Sequence, residues 1–181
     1  MLRIFDFLFS LFGLILGGPA LLVIYVIGLF DTGSPIFRQE RVGRDQKPFT
    51  LVKFRTMRPD TASVASHLAD ASAITPLGAF LRRTKLDELP QLWNVLKGEM
   101  SLVGPRPIVQ EELQKYGLEK SYYLMVRPGM TGLWQVSGRN DVDYETRVYL
   151  DAWYVKNWSL WYDLAILFKT IKVVFDKRGA Y

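Results

Sequence analysis

The sequence predicts a small, mostly helical α/β domain that follows an N-terminal membrane segment. Residues Phe7–Phe30 carry no charged side chain, and a helix of that length can cross a bilayer. Short apolar runs between residues 36 and 57 are typical of strands. Apolar residues then recur at helical spacing in Leu86–Lys97 and in Tyr144–Val174.

The composition limits the kinds of site that the chain can carry. Its 181 residues have a formal net charge of +5 and include no cysteine. Disulfides and thiolate metal sites are therefore excluded, and a metal would need oxygen ligands, which suits Mg²⁺. The positive charge suits anionic lipids or phosphorylated ligands. No nucleic-acid interface is expected, because the aromatic residues stand mainly among apolar and acidic neighbours.

The membrane segment is interrupted near its middle by Gly17, Gly18 and Pro19. Each arm is then about 11 residues, or roughly 17 Å of helix, which is too short to cross a bilayer alone. A kinked helix that spans the membrane is one geometry, and a helix–break–helix hairpin that enters and leaves by one face is the other. Basic residues flank both ends, which fits the hairpin but leaves the spanning helix open.

Two strands joined by a turn are predicted at Ile36–Gly43 and Phe49–Met57. Successive side chains of a strand point to opposite faces, so Lys53 and Arg55 lie on one side. Two cations on one face suit a phosphate, although such alternation is also ordinary for a strand that faces solvent. The following stretch, Arg58–Pro76, predicts a loop or marginal helix that could cover a site.

The stretch Arg82–Lys97 combines charged residues with a predicted helix start. Pro90 is tolerated in a first turn, where an N–H group has no intrahelical partner. Asp87 and Glu88 therefore fall at or near the start of the helix, where its dipole favours carboxylates and can hold a phosphate. By itself, this pattern is more typical of a capped, charged surface helix.

Two later stretches carry candidate anion-binding groups. Arg106 stands between two prolines that hold its backbone extended, so its guanidinium suits a phosphate or a base edge. A rigid connector is the alternative. A short helix is predicted at Ile108–Lys120. Residues Arg127–Asn140 are rich in glycine and predict loops around a short strand, with backbone amides available to an anion.

Two amphipathic helices are predicted in Tyr144–Val174, separated near Asn157–Ser159. Tryptophan and tyrosine residues crowd this junction, and such rings are favoured at a membrane–water boundary. Ordinary core packing is the alternative.

Together these stretches resemble the monotopic bacterial sugar transferases, the polyprenyl-phosphate phosphoglycosyl transferases. The resemblance covers nearly the whole chain, in order. It rests on Phe37–Gly43, Lys53–Met57, Leu86–Leu92, Asn94–Gly98, Met100–Pro107, Arg127–Gly129, Gly138–Asn140 and Tyr154–Ser159.

The resemblance implies transfer of a sugar 1-phosphate from a UDP-sugar to undecaprenyl phosphate, with release of UMP. It implies Mg²⁺ and a covalent aspartyl phosphosugar intermediate on Asp87, with Glu88 as the partner carboxylate; both are candidate metal ligands. The product would begin the assembly of an O-antigen, capsule or exopolysaccharide. The end of the chain is most similar to the branch that uses UDP-galactose or UDP-glucose.

Cations at matching positions are the expected substrate-binding residues. Arg82 and Arg106 are favoured for the diphosphate and nucleotide. Further candidates are Lys53, Arg55, Arg127 and Arg139, together with Asp151 as an additional acid of the site.

The resemblance also favours re-entry over a spanning helix. Residues 1–30 would form the membrane hairpin, and residues 31–181 would form the catalytic domain at the cytoplasmic face of the bacterial inner membrane, in contact with phospholipid. The chain would be a minimal catalytic unit, with a homodimer as an open alternative. The break here is Gly18–Pro19, where the family has Ser-Pro, and glycine offers no hydroxyl to backbone groups freed at membrane depth.

Two rival interpretations stay open at the level of sequence. One is a non-catalytic membrane-surface module, in which Asp87 and Glu88 only cap a helix. The other is a phosphotransferase that works in a single step.

Overall fold

A computed structural model describes residues 3–61, 71–138 and 142–176. The helices are α1 (Arg3–Thr32), α2 (Pro76–Thr84), α3 (Gln91–Lys97), α4 (Lys120–Met125), α5 (Leu133–Ser137), α6 (Tyr144–Lys156) and α7 (Leu160–Asp176). The strands are β1 (Ile36–Val42), β2 (Pro48–Phe54), β3 (Ser101–Val103) and β4 (Gly129–Thr131). The described part of the chain is therefore mostly helical with small sheets, as predicted.

The predicted β-hairpin is confirmed. Strands β1 and β2 pair antiparallel, with Ile36 opposite Phe54 and Val42 opposite Pro48. Strands β3 and β4 pair in parallel, with Ser101 opposite Gly129. This second pair places the segment that follows β3 beside the glycine-rich stretch. The prediction of a loop after the short strand is wrong, because helix α5 occupies Leu133–Ser137.

The membrane segment forms one helix. Helix α1 continues through Gly17, Gly18 and Pro19, so the predicted break does not separate two helices. A proline removes one backbone hydrogen bond and bends a helix without necessarily ending it. Helix α1 is long and apolar enough to cross a membrane, and only 6% of its most apolar window is buried.

Both ends of α1 contact the rest of the chain. Near its N-terminus, the Asp6 carboxylate accepts hydrogen bonds from Ser101 Oγ and from the N–H of Leu102, at 2.9 and 3.0 Å. Towards its C-terminus, Ile24 packs in a cluster with Phe54 and Leu81. The helix therefore lies against the domain at both ends, while large apolar side chains between them are exposed.

Asn94 joins α3 to the hairpin. This fully buried side chain accepts the N–H of Val52 at 3.1 Å and donates to the carbonyl of Thr50 at 2.7 Å. Apolar residues of α3 and β2 pack in one cluster beneath it. Since Lys53 directly follows Val52, this contact sets the position of Lys53 relative to the start of α3.

The C-terminal prediction of two helices is confirmed. Asp163 at the start of α7 is buried and accepts hydrogen bonds from Tyr154 OH and Trp158 Nε1, at 2.5 and 2.9 Å. Tyr154 thus belongs to the core, whereas Trp161 and Phe168 are 79% and 72% exposed. The apolar outer face of α7 suits an interface, but its contact with lipid stays a prediction.

The helix predicted at Ile108–Lys120 needs correction, and the predicted covering loop lies partly outside the described residues. The segment Gln110–Glu119 is a 3₁₀ helix, in which Gly117 adopts a positive φ of 50° that interrupts the regular turn. In the predicted covering loop, residues 62–70 lie outside the described residues. The ends of that loop meet, because Met57 and Ile74 form an isolated antiparallel bridge.

Candidate active site

Asp87 and Glu88 lie on a 3₁₀ turn, Leu86–Glu88, between α2 and α3. Lys85 has a positive φ of 61°, which ends α2 and begins this turn. The two carboxylates thus lie near the start of α3, as predicted, but on a separate turn, because α3 begins only at Gln91. Pro90 has no N–H to donate to the preceding turn, so the regular helix starts after it.

The surroundings of Asp87 disfavour the ionised form of its carboxyl group. Asp87 is 6% exposed, and its Oδ1 is buried without a hydrogen-bond partner among the described residues. Burial, followed by the charge of Glu88, raises the pKa of Asp87 to about 6. Lys85, Lys53 and Arg82 act in the opposite direction. A buried carboxylate oxygen without a partner is costly, so this oxygen is suited to an added cation or an electrophile.

A small, open cleft lies beside this turn. Its lining is unusually rich in cations for so small a space. The lining residues are Arg41, Leu51, Lys53, Glu88, Gln91, Arg106, Pro107 and Met130. Three cations around one carboxylate form a site for a ligand with several negative charges.

Lys53 and Arg106 are brought to Glu88 from distant parts of the chain. Burial lowers the pKa of Lys53 to about 8, although the neighbouring Asp87 carboxyl raises it. Arg106 Nη1 lies 3.9 Å from Glu88 Oε1, and the guanidinium also lies 5.9 Å from the centroid of the Trp134 ring. The Arg106 side chain is about one-third exposed, so it is available to a ligand.

Arg82 approaches Asp87 from α2. Its Nε donates to Thr56 Oγ1 at 2.9 Å. Burial lowers the pKa of Arg82, and the Asp87 charge raises it. The structure therefore brings Arg82 near the predicted nucleophile, although Arg82 does not line the cleft.

Three predicted site residues do not line the cleft. Arg55 donates from Nε to the carbonyl of Ser34 at 2.7 Å and stacks on Phe37. Arg127 donates to the carbonyl of Gly98 at 2.7 Å, at the end of α3 remote from Asp87. Asp151 is fully buried and is not part of the cleft lining.

Arg139 lies outside the described residues, within the gap at 139–141. The assignments of Arg55, Arg127, Arg139 and Asp151 to substrate binding thus stay predictions from the resemblance.

Arg41 and Gln91 line the cleft and were not among the predicted site residues. Arg41 is buried, donates to the carbonyl of Pro107 at 3.0 Å, and lies 3.9 Å from Glu112. Burial, followed by the charge of Arg106, lowers its pKa to about 10. Strand alternation places Arg41 and Arg38 on opposite faces but does not tell which face is buried, because burial depends on what packs over the strand.

Asp87 and Glu88 fit a magnesium ion. Adjacent carboxylates supply hard oxygen ligands, and the unpartnered Oδ1 of Asp87 is free to coordinate. No group of three or more candidate ligands gathers within the described ranges. Mg²⁺ would therefore take two protein carboxylates, with phosphate oxygens and water as its other ligands, which is a usual arrangement for this ion.

Comparisons with known proteins show which family the chain belongs to. The model of a family described as "Bacterial sugar transferase" matches residues 1–177. The UDP-galactose-lipid carrier transferase of Erwinia amylovora is 52% identical, over 99% of this chain and 41% of its own length. The undecaprenyl-phosphate galactose phosphotransferase of Salmonella typhimurium is 51% identical, over 99% and 41% respectively.

The exopolysaccharide production protein ExoY of Rhizobium meliloti is 45% identical, over 99% of this chain and 87% of its own length. The chain thus spans about two-fifths of the first two relatives and most of the third. The family model matches nearly every residue of the chain. The chain belongs to the bacterial sugar transferase family.

Proposed function

We propose that the chain transfers a sugar 1-phosphate from a UDP-sugar to undecaprenyl phosphate, releasing UMP, at the start of surface polysaccharide assembly. The observation that carries this proposal is the carboxylate pair Asp87–Glu88 beside a cleft lined by three cations. The names of these two relatives favour a galactose donor, and UDP-glucose is the alternative from the sequence resemblance.

The reaction would proceed in two displacements. In the first, an Asp87 oxygen attacks the phosphorus that bears the sugar, and the bond from that phosphorus to the UMP oxygen breaks. In the second, an oxygen of undecaprenyl phosphate attacks the same phosphorus, and the aspartyl–phosphate bond breaks. Asp87 is regenerated, and one site serves a soluble and a lipid substrate in turn.

The cations of the cleft would stabilise charge that develops during both steps. Lys53, Arg41 and Arg106 surround the position beside Glu88, and fixed positive groups in a site with little water are worth more than in bulk solvent. Glu88 would hold the metal with Asp87 or accept a proton from the lipid phosphate. Bound Mg²⁺ would supply further neutralisation of the phosphate oxygens.

Turnover and mass measurements test the proposal together. Purified protein with Mg²⁺ and undecaprenyl phosphate is offered UDP-galactose, UDP-glucose and an N-acetylated UDP-sugar, and UMP release is measured. We expect release with UDP-galactose or UDP-glucose. Incubation with the same UDP-sugar, but without undecaprenyl phosphate, should add the mass of one hexose phosphate to the intact protein. No UMP with any donor would favour the non-catalytic module, and turnover without the adduct would favour the single-step reaction.

We propose further that the chain is monotopic, with its active site at the cytoplasmic face of the inner membrane. The support is that Asp6 and Ile24, towards opposite ends of α1, both contact the same domain. A straight helix of 30 residues is about 45 Å long, so a helix that crossed the bilayer would place one end far from that domain. A bend at Gly18–Pro19 would return both ends to one face.

Single cysteines in this cysteine-free chain test the topology. Cysteines replace Leu2 before the segment, Ser34 after it, and the exposed Glu145 on the domain as a reference for its side. A membrane-impermeant thiol reagent is applied to right-side-out and inverted vesicles. We expect all three to react only in inverted vesicles. If the cysteine at position 2 reacted from the side opposite to the cysteine at position 145, the helix would span the membrane.

A further inference from the structure

The buried guanidinium of Arg41 is held in place but not fully paired. Arg41 is 6% exposed, and its Nη1 donates to the carbonyl of Pro107 at 3.0 Å, while Nη2 donates to Gln39 Oε1. Its Nε–H has no hydrogen-bond partner within residues 3–61, 71–138 and 142–176. A buried donor of a charged group is costly when it has no acceptor. Because Arg41 lines the cleft, an anion bound there would lie against this guanidinium.

The carboxylate next to Arg41 does not neutralise it closely. Glu112 Oε2 lies 3.9 Å from Arg41 Nη1, and the same oxygen accepts the N–H of Val109 at 3.1 Å. The charged residues of the cleft lining are three cations and Glu88. The lining therefore has a surplus of positive charge, which suits a ligand that is charged on each of two phosphates.

The register of the β-hairpin places Arg41 and Lys53 at opposite ends of one face. Arg41 lies opposite Phe49, and Lys53 lies opposite Phe37. Alternate residues of a strand share a face, so Leu51 stands between the two cations, and all three line the cleft. At about 3.4 Å per residue, the backbone positions of the two cations are roughly 14 Å apart along the strands. The cleft therefore has two distinct cationic ends.

Lys53 belongs to the end of the cleft that is near the carboxylates. Phe54, which follows Lys53, packs in one cluster with Leu86, which precedes Asp87. Arg41 belongs to the other end. A donor whose sugar-bearing phosphorus lies at Asp87 would therefore extend towards Arg41 with its nucleotide.

We propose that Arg41 binds the phosphate of the UMP part of the donor, the group that leaves when Asp87 attacks. This inference rests on the proposed function and narrows the role shared there by the three cleft cations. As the bond between Asp87 and the sugar-bearing phosphorus forms, the bond from that phosphorus to the UMP oxygen breaks. Its electron pair stays on the UMP phosphate, where the fixed Arg41 guanidinium supplies charge and hydrogen bonds. UMP departs before the lipid phosphate reacts, so Arg41 acts in the first displacement and not in the second.

Arg41→Gln tests this division between the two displacements. We expect the dissociation constant for UMP, measured by calorimetry with Mg²⁺, to rise about tenfold or more. The rate of adduct formation with the UDP-sugar should fall about a hundredfold. Adduct that does form is freed of UMP and mixed with undecaprenyl phosphate. Its loss, followed by intact mass, should proceed within about threefold of the wild-type rate.

Arg38→Gln is the matched control on the same strand. Arg38 is exposed and points to the opposite face, so its loss should leave UMP affinity and both displacements unchanged. Arg41→Gln also removes the partner of the buried Glu112 carboxylate. If that variant does not fold, Arg41→Gln with Glu112→Gln is compared with Glu112→Gln alone, and the same loss of UMP affinity is expected.

Three results would overturn the inference. They are a wild-type protein that does not bind UMP, a folded Arg41 variant whose UMP affinity is within threefold of its reference, and equal slowing of both displacements. An equal loss of affinity in Arg38→Gln would do so too, because the effect would then be one of general charge. UMP binding is measured without turnover, so failure of the proposed reaction would be seen separately as absent UMP release or an absent adduct in the wild type.

Discussion

Asp87→Asn is expected to abolish UMP release, with a loss of about a thousandfold or more. An amide cannot attack phosphorus to form the acyl phosphate, while its size and shape match those of the native side chain. The mass adduct with a UDP-sugar should disappear together with turnover. Mg²⁺-dependent binding of UDP should weaken as well, because one of the two candidate metal ligands loses its charge.

The same variant is expected to fold, and its stability gives an independent readout. Burial raises the pKa of Asp87 to about 6, so the ionised carboxylate is disfavoured in the folded state. The stability of wild type should therefore fall as pH rises from about 4 through 6, relative to a chain without this group. The melting temperature of Asp87→Asn should exceed that of wild type by more at pH 8 than at pH 5.

A matched control is Asp45→Asn. Asp45 is exposed and has a positive φ of 56°, a conformation that asparagine tolerates, so this change should leave turnover intact. Near wild-type turnover by folded Asp87→Asn would refute the assignment of Asp87 as the nucleophile. An equal loss in Asp45→Asn would show that the effect is not specific to the site.

Arg106→Ala is expected to lower kcat/KM for the UDP-sugar by about a hundredfold. The change removes the most accessible of the three cleft cations and leaves Glu88 without its 3.9 Å contact to the guanidinium. Arg106→Lys should restore part of the loss, because it returns the charge without the planar fork of donors. Steady-state kinetics with a saturating lipid substrate measure both variants.

Arg44→Ala is the control for the loss of one positive charge. Arg44 is half exposed and pairs with Asp45 at 3.3 Å, so its removal should change the kinetics by less than about twofold. A kcat/KM for Arg106→Ala within threefold of wild type would contradict a role in binding the donor. Such a result would direct attention to Arg41 and Lys53, which line the same cleft.

Much of the secondary structure could be predicted from the sequence. Apolar alternation placed the β1–β2 hairpin, and helical spacing placed α6 and α7. These patterns are local, because each reflects which face of one element meets the core. They placed Asp87 and Glu88 near the start of α3, although Pro90 delays the regular helix to Gln91. They failed at Leu133–Ser137, where no strong periodicity predicted a helix.

Only some residues of the candidate site could be predicted from the sequence. Asp87, Glu88 and Arg106 could be identified from their motifs, and the structure brings Glu88 and Arg106 together. Arg41 could not be identified, because its burial depends on the packing of Pro107 and Glu112 against β1. Arg55 and Arg127 were further candidates from the sequence, but their guanidinium groups bond to the carbonyls of Ser34 and Gly98, and neither residue lines the cleft.

The sequence by itself therefore determined the family, the apolar N-terminal helix, the order of the elements and the carboxylate pair. Only the tertiary structure decided which cations surround that pair. The physical reason is that charge and spacing are properties of the chain, whereas burial and approach arise when distant elements pack. The raised pKa of Asp87 follows from that packing, and so does its suitability for the chemistry proposed.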